Sequence, residues 1–413
     1  MATNFPASLD SLTNPTSSDS LNSPSHSAQH ANSNDAIEAL QAKVGVDSSA
    51  VTTSLDYKIA QLEAVSTVGA NLVYNGAMQV AQRGTSSAGI TSTGYTTADR
   101  WASDVIALGT WTQSVENDAP TGSGFRKSLK MLCTTADAAP ASGYRVGVTQ
   151  RFEGQDLQQI KKGTSAAEQL TLSFWVKSNV TGTYIVELFD TDNTRYVSAS
   201  YSVSASATWE KKTITFPADT TGSFNNDNGH SLSMFFWLGA GSSYSSGSPL
   251  NTSWGAPGDS TRITGQTNLA SAVNNYWQIT GVQLEVGDQA TTFEHRSYGK
   301  ELALCQRYYQ RITAGGNYGR VAIGQAYATN AVMAIMPLRV SLRTVPTAID
   351  AAALHIIDGS AGFIVYTFSI DASGSNEDVV AVIATTAGLT NYRPYHIGGY
   401  NNPNGYFGVS AEL

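Results

Sequence analysis

The pattern of apolar and polar positions divides the chain into segments of different character. Residues 1–33 carry few apolar side chains (Phe5, Leu9, Leu12, Leu21) among Ser, Asn and Pro, which predicts an extended arm that orders only against a partner. Residues 34–70 hold two helical signals. In NDAIEALQAKVG, Ile37, Leu40 and Val44 recur at helical spacing, Asp35 and Glu38 fit a capping box, and Gly45 suits the position after the last turn. In SLDYKIAQLEAV, Ser54 can cap, and Leu55, Ile59 and Leu62 repeat as d, a and d of a heptad would. Each helix is too short to be stable alone, and each has one apolar stripe. The stripes can pack on the following domain, or copies from several chains can pack together in a trimeric coiled coil. The second arrangement is the expectation, with Ile37, Leu40, Val44, Leu55, Ile59 and Leu62 as oligomerisation residues.

From 71 to 298 the period changes to two. LTLSFWVKS places Leu170, Leu172, Phe174 and Val176 on one face. TYIVELFD, YVSASYSVS, WEKKTITFP, LSMFFWLGA and YWQITGVQLEV are further strands, separated by clusters of Gly, Asn, Asp and Ser. Many short strands without interleaved helices predict an antiparallel sandwich, most simply a jelly roll. One irregular insert, residues 241–271, is long enough to be functional or clamped by a neighbour. Leu302, Cys305, Tyr309 and Ile312 then form a single stripe, predicting one connecting helix over 299–312. Residues 313–413 turn β again, in RVAIGQAYA, AVMAIMPLRV, GFIVYTFSID, VVAVIATT and YFGVSAEL, as a smaller C-terminal β domain. The expected fold class is mainly β: arm, short helices, jelly-roll sandwich, connecting helix and terminal β domain.

Composition sharpens this picture. Of the 413 residues 41% are hydrophobic and only 14% charged, so solubility rests on hydroxyls, amides and glycine, as in many extracellular and virion β-proteins. The net charge of -8 speaks against nucleic acid, which asks for a basic face. Two cysteines, Cys133 and Cys305, are too few for a disulfide framework. No apolar run approaches a membrane span, and the N-terminal residues lack the pattern of a signal peptide.

The densest chemistry lies in YWQITGVQLEVGDQATTFEHRSYGKELALCQRYYQR, residues 276–311, with Glu285, Asp288, Glu294, His295, Arg296, Glu301, Cys305 and Arg307. It looks like an active site. A retaining glycosidase needs two facing carboxylates roughly 5 Å apart, yet Glu285 alternates with Val282, Leu284 and Val286 and is not aimed at a point shared with His295. Cys305 sits on an apolar stripe, whereas a nucleophile requires a polar, accessible setting. The stretch reads as a seam, with Glu294, His295 and Arg296 fixing the turn into the helix and no catalytic residue assigned. His26 and His30 stand four apart, but Pro24 and the serines argue against a helix there, and two ligands are too few for a metal. DTDNTR (190–195) and NNDNG (225–229) faintly resemble calcium loops without the full pattern. No cofactor is expected, and a lone structural calcium stays open.

The segments FPASLDSLTNPTSS, HSAQHANSNDAIEALQAKVG, NLVYNGAMQVAQRGTS and YTTADRW, together with the closing strand-and-helix run and the ending YFGVSAEL, resemble the fibre proteins of tailed bacteriophages over nearly the whole chain. That resemblance implies a homotrimeric fibre in the virion, assembled in the host cytoplasm. It also implies an N-terminal arm anchored on other virion proteins and distal β domains facing a host glycan or envelope protein, without membrane insertion. The alternatives are an adaptor or head-attached fibre serving assembly and, from another class, a surface-polysaccharide depolymerase. Depolymerase fibres resemble repeated parallel β-helices, and no such repeat occurs here. Exposed aromatic rings suit sugar faces. The candidates are Tyr244 and Trp254 in the long insert and Tyr392, Tyr395, His396, Tyr400 and Tyr406 near the C-terminus. For Trp254 the competing reading is a plug that fastens the insert to its own or a neighbouring subunit.

Overall fold

A computed structural model describes residues 26–46, 49–65, 71–256, 258–359 and 361–413. Two compact units divide at residue 69. The first contains α1 (His26–Val44) and α2 (Leu55–Val65). α1 begins eight residues before the expected boundary, so His26–Ser33 is helical and not extended. Pro24 stands ahead of the first turn, where it does no harm, and Ala28, Gln29 and Ala31 are good helix formers. Gly45 ends α1 at φ +89°, its amide bonding to Gln41 O at 2.8 Å. Ser54 Oγ accepts from the Tyr57 amide at the start of α2. Ile37, Leu40, Val44, Leu55 and Ile59 are all exposed. The Leu62 side chain and residues 1–25 of the arm lie outside the described residues.

The second unit is almost entirely antiparallel β. Its larger part has ten strands: β1 (Ser86–Tyr95), β2 (Ala102–Glu116), β3 (Ser128–Thr135), β4 (Arg145–Glu153), β5 (Leu170–Ser178), β6 (Gly182–Asp190), β7 (Arg195–Val203), β8 (Glu210–Phe216), β9 (His230–Ala240) and β10 (Tyr276–Val286). Hydrogen bonding runs β7-β6-β9-β4-β2-β3-β10-β5-β8, with β1 also on β2. The long strand β2 is the corner. Its first half, from Ala102 to Ala107, pairs with β4, and its second half, from Thr110 to Glu116, pairs with β3. Ala107 and Gly109, both at positive φ, bend it between the two. The result is a jelly-roll-like sandwich around one core of Trp101, Trp111, Leu172, Phe174, Phe236 and Trp277.

β10 is buried along nearly its whole length, because it is central in its layer, paired with β3 and β5. Gln283 and Glu285 are therefore buried together with Val282 and Leu284. Gly281, at φ +61°, marks a register shift in the pairing with β5 and leaves room for the Phe125 ring, whose Cζ would lie 2.5 Å from any Cβ there.

The helix α4 (Tyr298–Gln306), which follows the four-residue α3 (Ser242–Ser245), is shorter than expected. Tyr309–Thr313 is a strand, and Ile312 pairs with Phe407 instead of continuing the helical stripe. The aromatic and β-branched content of YYQRIT favours the extended form. The terminal domain comprises β11 (Tyr309–Thr313), β12 (Arg320–Ala328), β13 (Ala331–Pro337), β14 (Ala348–Ala352), β15 (His355–Ile357), β16 (Gly362–Ile364), β17 (Thr367–Ile370), β18 (Val379–Thr385), β19 (Pro394–Gly398) and β20 (Tyr406–Ser410). Three strands, β11-β20-β14, face seven in the order β16-β15-β19-β12-β13-β18-β17. Val332, Met336, Ile356, Val380, Val382 and Phe407 form their shared core.

A polar seam joins the terminal domain to the sandwich. Arg100, almost fully buried, pairs with Glu412 and stacks at 3.4 Å on the Tyr308 ring. Arg307 makes two bonds to Glu153, at 2.8 and 2.7 Å. Arg343 donates to the carbonyls of Asn228, Ala411 and Glu412. Arg83 lies 3.5 Å over Tyr309 and 3.3 Å from Glu412.

Candidate recognition surface

The densest chemistry of the sequence resolves into structural pairings. Glu285 accepts from the Thr291 amide and hydroxyl and from Gln283 Nε2, which consumes its oxygens. Arg296 donates to the carbonyls of Val73 and Asn71 and to Glu294 at 3.1 Å, binding the turn to the first segment of the sandwich. Cys305 is fully buried, and burial pushes its thiol well above the usual range. His295 packs elsewhere, against Phe125 and Phe293. The two do not form a nucleophile pair.

The candidate calcium loops are also self-satisfied. Asp192 receives the Asn225 amide and side chain, both at 2.9 Å, and Asp227 receives the Gly229 amide. Asp190 and Asp219 converge on the buried ammonium of Lys162, at 2.6 and 3.0 Å, with the Thr221 and Gly222 carbonyls completing the set. Burial works to raise the Asp219 carboxyl, but bonds from Arg195 and Lys162 hold it below the usual carboxylate range. A lysine thus fills the oxygen cage. Among the described residues no cluster of three His, Cys, Asp or Glu side chains is placed to hold a metal.

The aromatic candidates separate by environment. Trp254 donates from Nε1 to Pro217 O at 2.8 Å, flanks Lys162 and packs on the main core. It plugs the 241–271 insert onto its own chain. Tyr244 covers a satellite core of Ile185, Phe235, Trp237 and Ile263, and its hydroxyl accepts from Arg145. Tyr395 is 2% exposed, its hydroxyl accepting the Thr390 amide, so it is a core residue and not a surface one. Tyr406 bonds Asp350 at 3.0 Å under the Arg311 guanidinium, 3.6 Å above its ring, near the sandwich joint and not at a free tip. His396 is half-buried on β19.

Tyr392 and Tyr400 remain, and the structure adds partners that the sequence reading missed. Tyr392 is 75% exposed at φ +64°. Its amide donates to Ala326 O, which sets it beside Tyr327, 48% exposed at the end of β12. Tyr400 meets Tyr318 edge-to-face at 5.7 Å and His355 at 5.6 Å, at the other end of β12. Gly362 makes this cluster possible, since a Cβ there would stand 2.4 Å from the Tyr400 ring. His355 Nδ1 is buried and has no hydrogen-bond partner among the described residues. Tyr366 is a further exposed ring at 66%. Between the two groups the same sheet face presents Ile323, Met333 and Ile335 to solvent.

The missed tyrosines have a signal in the sequence. In RVAIGQAYA the small residues Gly324 and Ala326 alternate with Ile323, Gln325 and Tyr327, so the larger set points outward when the smaller faces the core.

No protein-family model and no curated protein matches the sequence. Among solved structures, the enzymatically active domain of tailspike protein 4 of bacteriophage CBA120 is similar over 52% of this chain and 21% of that chain, at 14% identity and a TM-score of 0.28. The family 11 carbohydrate-binding module of Clostridium thermocellum is similar over 51% of this chain and 98% of its own, at 9% identity and a TM-score of 0.25. The N-terminal cellulose-binding domain of the β-1,4-glucanase C of Cellulomonas fimi is similar over 46% and 90%, at 14% identity and a TM-score of 0.25. The chain spans about a fifth of the tailspike it matches. Likenesses at this level carry no functional argument.

Proposed function

We propose that this chain is a non-enzymatic virion appendage that attaches a phage particle to glycans of the host surface. The observation that carries the reading is where exposed aromatic side chains collect. In the terminal domain Tyr318, Tyr327, Tyr366 and Tyr392 stand in solvent, while among the described residues of the sandwich and its connecting helix every Phe, Tyr and Trp except Tyr298 is buried or half-buried. A tyrosine ring offers an apolar face for a pyranose and a hydroxyl for its hydroxyl groups, at low entropic cost. Shallow sites of this kind become effective when several copies act together. Support for a homotrimer comes from α1 and α2, whose apolar stripes are exposed in a single chain and ask for partners. The N-terminal arm would then join other virion proteins, and the terminal domain would face the host.

Two measurements test the reading. Sedimentation of the purified chain is expected to give a mass of three chains, reduced by Ile59→Asp; a monodisperse monomer at micromolar concentration contradicts the trimer. A glycan array of bacterial surface polysaccharides is expected to give binding without cleavage. Release of shortened glycan would move the protein to the depolymerase class.

A further inference from the structure

The stretch that resembles an active site lines a concavity after all. Phe293, His295, Tyr298, Gln79, Arg296 and Glu301 surround a depression of about 190 Å³ at the entry to α4. Three features make it a built site. Its wall is aromatic and rigid: Phe293 meets Phe125 edge-to-face at 4.8 Å and His295 at 4.9 Å, and Phe125 is itself buried. Its rim carries Tyr298, 60% exposed, one of few large apolar side chains that the described residues of the sandwich and its connecting helix leave in solvent. Its floor is a fixed polar pair: the Asn75 amide donates to Glu301 Oε1, and Arg296 Nη1 stands 3.7 Å from the same oxygen.

We infer that this pocket binds a single neutral hexopyranose, as a second glycan site distinct from the tyrosines of the terminal domain. The inference rests on the glycan-binding reading above. Size limits the ligand to one ring, since drug-sized molecules occupy cavities upward of roughly 300 Å³. Composition selects a sugar: ring faces for C–H groups, with the Gln79 side-chain amide and a carboxylate for hydroxyls, converge in one small concavity. Among the described residues, bonds reach only Oε1 of Glu301, which leaves its other oxygen as an acceptor. Charge excludes acidic sugars. The guanidinium of Arg296 is already engaged by two carbonyls and Glu294, while Glu294 and Glu301 together repel a second carboxylate.

Saturation-transfer NMR on the full chain with glucose, galactose, mannose, N-acetylglucosamine and glucuronic acid tests the inference. At least one neutral sugar is expected to bind in the millimolar range, and glucuronic acid is not. Tyr298→Ala is expected to weaken that binding at least tenfold without changing the melting temperature, since the ring is exposed, whereas Tyr392→Ala leaves it unchanged. Absence of binding by every neutral sugar, or equal binding by Tyr298→Ala, overturns the pocket. Neither result touches the terminal tyrosines, whose failure appears instead as polysaccharide binding that survives their removal. Preference for glucuronic acid overturns the charge argument and with it the proposed ligand class.

Discussion

The sandwich and the terminal domain use the same alphabet to opposite ends. The sandwich holds Trp101, Trp111, Trp237 and Trp277 almost fully buried, and the 241–271 insert folds back on it through Trp254 and Tyr244. The terminal domain builds its core mainly from aliphatic residues, with Tyr395 and Phe407 among them, and leaves Tyr318, Tyr327, Tyr366, Tyr392, Ile323, Ile335 and Ile364 outside. Folding alone does not reward exposed rings, because burying an apolar side chain is worth about 1.5–3 kcal/mol. A small β domain that forgoes that gain at several positions is shaped for contact with something else.

The comparison can first be broken at the joint. Removing the anion from Arg100 by Glu412→Ala leaves a guanidinium buried without its partner, and the expected loss is about 3–5 kcal/mol in chemical denaturation. A change near zero would show that the two domains do not depend on each other. A second test uses acid. Burial and the nearby Arg151 push His230 from 6.5 down to about 4. The unfolded chain therefore takes up a proton near 6.5 and the folded chain only near 4, so stability contributed by the neutral ring is complete above 6.5 and lost as pH falls towards 4. Asp99, pushed by burial from 3.8 up to about 6, acts in the opposite sense: its contribution is lost as pH rises through about 6. The difference between wild type and His230→Gln isolates the histidine. The variant is expected to recover at most about 3 kcal/mol at pH 4.5 relative to its own value at pH 7. No change in the acid limb would contradict the burial of the ring. A smaller effect is expected at Cys305, where Ala costs about 1 kcal/mol and the native thiol resists labelling. Rapid labelling of the folded chain would return the catalytic reading.

Strand content and the sandwich were legible because period-two runs such as LTLSFWVKS have no helical alternative. The burial of Cys305 followed from its stripe, although the helix itself stops at Gln306, and Tyr309 and Ile312 find their strand partners far along the chain, at Ser410 and Phe407. That pairing is tertiary and leaves no local mark. The recognition surface was half legible. Tyr392 and Tyr400 were chosen for aromatic density, but the same density hid Tyr395 in the core and Tyr406 over Asp350, since alternate residues of one strand face opposite ways. Tyr327 is marked only by its alternation with Gly324 and Ala326, a signal that competes with the ordinary assignment of an apolar strand residue to the inside. The start of α1 at His26 is not legible from Pro24, because a proline ahead of a helix does not disturb the turns that follow it.

The most direct test compares a pair of rings in the terminal domain with a single ring in the sandwich. The full chain with Tyr327→Ala and Tyr392→Ala together is set against the chain with Trp254→Ala on the same polysaccharide array, each with a melting curve. The tyrosine pair is expected to lose at least tenfold in binding while stability changes by less than about 0.5 kcal/mol. Trp254→Ala is expected to lower stability and leave binding per folded molecule intact. Full binding by the tyrosine variant, or its loss in the Trp254 variant at unchanged folding, would place recognition in the sandwich and contradict the account.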